Sequence, residues 1–105
     1  MNFSKDILGI QGVAARHRHM AAAVEALSCE SPRILEIGAW AGCSALTWCA
    51  AMERYAKNGS VWCIDTWKPY LSGATLIETT MTDLSSSGRI MSIFLENTQG
   101  MPVHI

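Results

Sequence analysis

PRILEIGAWAGCSALTWCAAMERYAKNGSVWCIDTW, residues 32–67, is the stretch that decides the fold. Arg33 to Ile37 is a short, mostly apolar run bounded by Pro32 and Gly38, the pattern of a strand buried on both faces. Gly38 ends it, and Cys43 to Ala56 then carries Leu46, Cys49, Ala50, Met52 and Ala56 among good helix formers, with Gly42 and Ser44 near the helix start. Asn58-Gly59 is the next punctuation, after which Val61, Trp62, Cys63 and Ile64 are again strand-like and end on Asp65. The connection from Ile37 to Val61 is long enough for a right-handed crossover between parallel strands. The stretch therefore reads as a βαβ unit.

Such a unit offers a ligand site at the carboxyl ends of its strands, beside the exposed amides of the helix N-terminus. Gly38 and Gly42 let a nucleotide-like ligand approach the backbone, and Asp65 stands where a carboxylate accepts hydrogen bonds from both ribose hydroxyls. Each residue also has a structural reading. Gly38 permits a positive φ, Gly42 lets helix pack on strand, and Asp65 forms a turn or caps the next segment. Glu36, at the end of a buried strand, needs partners, which the amides of the following turn or a ligand can supply.

With these residues in view, LEIGAWAGCSALTW followed by VWCIDTW resembles motifs I and II of class I S-adenosylmethionine-dependent methyltransferases, in particular the small-molecule O-methyltransferase-like group. The matching positions are Glu36, Ile37, Gly38, Gly42 and Ser44, then Ile64, Asp65, Thr66 and Trp67. The resemblance implies that the turn Gly38-Ala39-Trp40-Ala41-Gly42 passes the methionine moiety of the cofactor, S-adenosylmethionine. It also implies that Asp65 holds the ribose hydroxyls, that Trp67 lies near the adenine, and that Ile64 and Thr66 shape the turn. Phe94 and Asn97, in F-L-E-N, resemble the helix before the third strand of the same group. The implied fold is α/β, a partial Rossmann-like (doubly wound) parallel sheet of about three strands flanked by helices. The implied reaction moves a methyl group to an oxygen or nitrogen of a small-molecule acceptor.

Two departures stand out. Trp40 occupies the place of a third glycine found in many such turns, so its side chain must point away from the cofactor or close over it. The family's domain has about seven strands and on the order of 150 residues or more, whereas these 105 residues reach only Val103-His104-Ile105, where a third strand begins. The expected organisation is an N-terminal helical segment over 1–31 and the N-terminal half of a methyltransferase-like domain over 32–105, with the acceptor pocket and any catalytic base lying elsewhere. His104 is the only candidate base late in the chain, and its position favours a structural role.

Composition sets further bounds. The chain is 50% hydrophobic and 16% charged with a net charge of −1, which gives no electrostatic case for nucleic acid or an anionic membrane. A mean hydropathy of +0.17 fits a piece of core covered by further elements or by a partner. No signal-peptide run and no membrane span is visible, so a cytoplasmic setting is expected. Cys29, Cys43, Cys49 and Cys63 lack metal-ligand spacing and read as reduced packing residues. Cys43 alone carries a second reading, as a thiol activated by a helix N-terminus.

Outside the central stretch, Val13 to Leu27 has apolar residues at Val13, Met20, Val24 and Leu27, an amphipathic helix ending near Ser28. Its basic cluster, Arg16-His17-Arg18-His19, reads chiefly as a solvated face, with a contact to substrate from the N-terminal cap as the second reading, and His17 and His19 point in too different directions on a helix to share a metal. Lys68 to Gly88, with Pro69, Tyr70, Gly73 and a serine run, reads as a long surface segment with one short helix over Thr75 to Leu84, either a lid or an insertion. Arg89 to Thr98 restores helical spacing. Two other functions stay open: a noncatalytic α/β domain that forms a homo-oligomer through a sheet edge or apolar face, and a nicotinamide-dependent dehydrogenase fragment. G-A-W-A-G lacks the G-x-G-x-x-G pattern that the dehydrogenase reading requires.

Overall fold

The computed structural model describes residues 14–67 and 88–105; the expected loop and short helix over 68–87, and Val13, lie outside the described residues. In chain order the elements are α1 (Ala14–Ala26), β1 (Arg33–Ile37), α2 (Cys43–Arg54), β2 (Ser60–Ile64), α3 (Arg89–Thr98) and β3 (Val103–His104). The strands form one parallel sheet in the order β1-β2-β3. Arg33 pairs with Ser60 and Ile37 with Ile64, while Val61 and Trp62 pair with Val103 and His104. The described residues are thus α/β, with the βαβ unit where the sequence places it.

Sheet register divides the strand residues into two faces, because successive side chains alternate. Ile34, Glu36, Val61, Cys63 and Val103 share one face, and side chains of the three described helices gather over it. Val24 of α1, Ala45, Cys49 and Met52 of α2, and Ile90 and Phe94 of α3 form a single core with Val61 and Cys63. Phe94, Ile90, Val24, Val61 and Cys63 are sealed from solvent, each contributing about 1.5–3 kcal/mol by burial where the side chain is large and apolar.

The opposite face differs from the sequence expectation. Leu35, Ile37, Trp62 and Ile64 are 61%, 78%, 45% and 56% exposed, so β1 is covered on one side and not on two. An apolar run such as RILEI marks a strand fit for two covers, but it does not bring the second one. On this open face Trp62 stacks with His104, ring centroids 4.4 Å apart.

The junctions around the βαβ unit are pinned by backbone. Ser60 N–H donates to the Pro32 carbonyl at 3.0 Å and Asn58 N–H to Glu30 at 2.7 Å, which sets the start of β2 beside β1. Lys57 Nζ donates to the carbonyls of Leu27 and Cys29 at 2.6 and 3.0 Å, tying the end of α2 to the exit from α1.

Candidate cofactor site at the carboxyl ends of β1 and β2

The turn from Gly38 to Gly42 is held from several directions. Gly38 N–H donates to the Ile64 carbonyl at 2.8 Å, continuing the β1–β2 ladder past the strand ends, and Gly42 N–H closes back on Ala39 at 3.0 Å. Asn97 Nδ2 of α3 donates to the Ala41 carbonyl at 3.0 Å. Ala39, Trp40 and Ala41 are buried. These backbone hydrogen bonds hold the loop in shape without a ligand.

Asp65 is the centre of that arrangement. Its Oδ2 accepts from Trp40 N–H at 2.9 Å and its Oδ1 from Trp67 N–H at 2.7 Å. The carboxylate therefore bridges the turn after β1 and the turn after β2. Charge-assisted bonds of this kind are the stronger class, and each carboxylate oxygen has a second lone pair for a hydroxyl donor. Thr66, next to it, is exposed.

The two glycines have different duties. At Gly38, φ is +86° and nothing lies within 4 Å of where a Cβ would stand, so open space adjoins the backbone. At Gly42, φ is +93° and a Cβ would stand 3.1 Å from Phe94 Cδ2 and 3.3 Å from Thr98 Cγ2. Gly42 thus admits α3 against the turn, a helix contact in place of the strand contact its spacing suggests. Gly38 is the glycine with room for a ligand.

Trp40 turns into the core, one of the two options open to a bulky residue there. It is 7% exposed, adopts φ 44°, and its carbonyl accepts from Trp67 Nε1 at 2.9 Å. Trp67 in turn packs on Phe94 at 5.0 Å between centroids and is 8% exposed. Both indoles wedge the turn in place.

Glu36 faces α2. Its Oε2 accepts from Trp48 Nε1 at 3.0 Å, while its buried Oε1 has no hydrogen-bond partner among the described residues. Burial pushes this carboxyl above its ordinary range, opposed by the Trp48 hydrogen bond and the nearby Arg16 charge. The indole N–H of Trp40 is likewise buried without a partner among the described residues. Orphan polar atoms beside a preformed turn are costly unless something else satisfies them.

The basic cluster of α1 departs from its solvated reading at two positions. Arg16 Nη2 donates to Ser44 Oγ at 2.8 Å, and His17 reaches Thr47 Oγ1 through Nδ1 and Cys43 Sγ, at 3.8 Å, through Nε2. The reason is packing: α1 lies across α2, which carries Arg16 and His17 onto its first turn. His19 is exposed, as expected. Thr47 spends its own proton on the Cys43 carbonyl at 3.0 Å, so it accepts from His17 Nδ1–H and leaves the Nε2 lone pair facing the Cys43 thiol.

Burial, and then the Arg16 charge, hold His17 below its ordinary value of 6.5. The unfolded chain then binds more protons than the folded one between that lowered value and 6.5. The His17 contribution to stability is complete above pH 6.5 and declines as pH falls through that window. A thermal melt between pH 7.5 and 5.5 is expected to show this loss, and His17→Gln to flatten it.

Cysteine chemistry follows the packing reading at Cys43, Cys49 and Cys63 and departs from it at Cys29, which is exposed. All four thiols are free, with Cys29 exposed and Cys43, Cys49 and Cys63 buried. Burial pushes Cys43 up despite its helix start, and burial followed by the Glu36 charge raises Cys49 to about 11 and Cys63 to about 12. A disulfide-exchange reagent at pH 8 is expected to modify Cys29 at once and the other three only on unfolding. Among the described residues no group of His, Cys, Asp and Glu is arranged to hold a metal ion, and no described helix is long and apolar enough to cross a membrane.

The residues named from the sequence fall into one neighbourhood. Glu36, Gly38, Ala39, Trp40, Gly42 and Ser44 surround the turn after β1, and Asp65, Thr66 and Trp67 form the turn after β2. Sequence reading missed Trp48, and it placed Arg16 and His17 in a basic cluster read chiefly as a solvated face, with nothing local to show that these two turn onto α2. Compared with family models, curated proteins and solved structures, the chain matches none.

Proposed function

We propose that the chain is the cofactor-binding half of a Rossmann-like, S-adenosylmethionine-dependent methyltransferase that acts on an oxygen or nitrogen of a small molecule. The observation that carries this reading is the Asp65 carboxylate, fixed by two backbone amides at the carboxyl end of β2 beside the open space at Gly38. Asp65 would hold the ribose hydroxyls, Gly38 would admit the cofactor to the backbone, and Glu36 and Ser44 would face its methionine end. The cofactor supplies an already activated methyl group, so the protein's work is to bind, orient and exclude water. The open face of Leu35, Ile37, Trp62 and Ile64 supports an intact enzyme in which further helices cover the sheet, working in the cytoplasm.

Equilibrium titration tests the ligand. The full chain is expected to bind S-adenosylhomocysteine and to leave NADH fluorescence unchanged. NADH binding without S-adenosylhomocysteine binding would replace this reading by the dehydrogenase one. The same open apolar face favours a second reading, a noncatalytic domain that self-associates through it. Sedimentation showing a concentration-independent monomer would remove that alternative.

A further inference from the structure

One peptide of the ligand turn has a direction that its own residues leave free. Gly42 sits at φ +93°, and a glycine is equally at ease at the negative φ that a flip of the Ala41–Gly42 peptide would give it. Bonds at both ends of the peptide select one direction. The Gly42 N–H donates to the Ala39 carbonyl at 3.0 Å inside the turn, and the Ala41 carbonyl accepts from Asn97 Nδ2 at 3.0 Å, across 56 positions of the chain. Only the amide nitrogen can donate to a carbonyl, so the bond also fixes how the Asn97 side chain is turned. Both residues are sealed, Asn97 at 2% exposure and Ala41 at 0%. Water cannot stand in, and without Asn97 the carbonyl becomes a buried acceptor left unpaired. The other buried positions of α3 are Ile90, Phe94 and Thr98, and an apolar side chain at 97 would pack such a face as well. What the asparagine adds is the donor.

We propose that Asn97 is a positioning residue for the ligand turn, holding the Ala41 carbonyl toward α3 and so keeping the turn in the conformation that receives a ligand at Gly38. It touches no ligand and acts through the Ala41–Gly42 peptide. The proposal rests on the cofactor reading above and goes beyond it, because it puts a determinant of affinity on α3, in the F-L-E-N stretch that the cofactor contacts leave unused. The packing also requires a lock from outside the turn. A Cβ at Gly42 would stand 3.1 Å from Phe94 Cδ2 and 3.3 Å from Thr98 Cγ2, and a residue bearing one would favour the negative φ in any case. The share of the folded chain that holds the competent turn then scales the apparent affinity directly.

The test is calorimetry on the full chain with S-adenosylhomocysteine as the probe, at a temperature where thermal melts show every variant folded. Asn97→Leu is expected to weaken binding about 10-fold, the equivalent of one buried hydrogen bond. Asn97→Asp can donate only when protonated, so its affinity relative to wild type is expected to recover between pH 8 and pH 5. Met52→Ala is the stability control, since it cuts the core beside Gly59, at the opposite end of the strands from the turn. It is expected to lower the melting point at least as much as Asn97→Leu and to bind like wild type. In spectra of the unliganded 15N-labelled chain, the Gly42 amide signal is expected to shift or broaden in Asn97→Leu and to stay in place in Met52→Ala. An equal loss of affinity in Met52→Ala overturns the positioning role, because stability alone would then account for both variants. If the folded wild-type chain binds no S-adenosylhomocysteine, the cofactor reading falls and the positioning role falls with it. If wild type binds and Asn97→Leu binds as tightly, the positioning role alone falls.

Discussion

Asp65→Ala is expected to abolish measurable S-adenosylhomocysteine binding, a loss of at least about 100-fold, and to lower stability as well. The ribose loses its acceptor, and the Trp40 and Trp67 amides lose theirs in the same step. Leaving such donors unsatisfied costs about 3 kcal/mol in total, a melting-point drop of roughly 10–20 °C for a domain of this size. Asp65→Asn separates the two effects. Its amide keeps one acceptor for one backbone N–H, so part of the stability returns, but its NH2 faces the second donor and the paired acceptor for two hydroxyls is lost. A variant that melts like wild type and still binds would remove Asp65 from the site.

Gly59→Ala is expected to have the largest effect on stability. A Cβ there would stand 2.3 Å from the Pro32 carbonyl oxygen and 2.6 Å from Met52 Sδ. Met52 can swing aside, but the Pro32 carbonyl is backbone and accepts from Ser60 N–H at 3.0 Å. Relief therefore requires moving the start of β2 away from β1, which breaks the first rung of the parallel pair. Such overpacking costs about 3 kcal/mol or more, enough to unfold much of a marginal chain at 37 °C. Chemical denaturation monitored by tryptophan fluorescence checks it; an unchanged midpoint would mean that the junction is looser than its contacts indicate.

The strands were legible because their punctuation is local. Pro32, Gly38 and Asn58-Gly59 bracket runs whose neighbours along the chain settle their type, and β1 follows those marks from Arg33 to Ile37. The three described helices were legible to within two residues for the same reason. What the sequence could not carry was which face of the sheet lacks a cover, since an apolar run has no alternation to reveal it. The contacts that fix the turn were hidden too. Arg16 meets Ser44 across 28 residues, and Asn97 meets Ala41 across 56; such pairs arise only from how helices pack. Trp40 was visible as an oddity, but that it buries its ring and gives its N–H to Asp65 depends on a φ of 44° that no local pattern announces. Gly42 shows the converse, a motif position whose neighbour proved to be Phe94 of a helix far along the chain.

The most direct test of the central claim is an amide-resolved NMR titration of the 15N-labelled full chain with S-adenosylhomocysteine. The account predicts saturable shifts concentrated at Gly38, Trp40, Ser44 and Asp65, with none in Asp65→Ala. A well-dispersed spectrum that does not change on titration, or changes confined to Leu35, Trp62 and Ile64 on the open face, would contradict it.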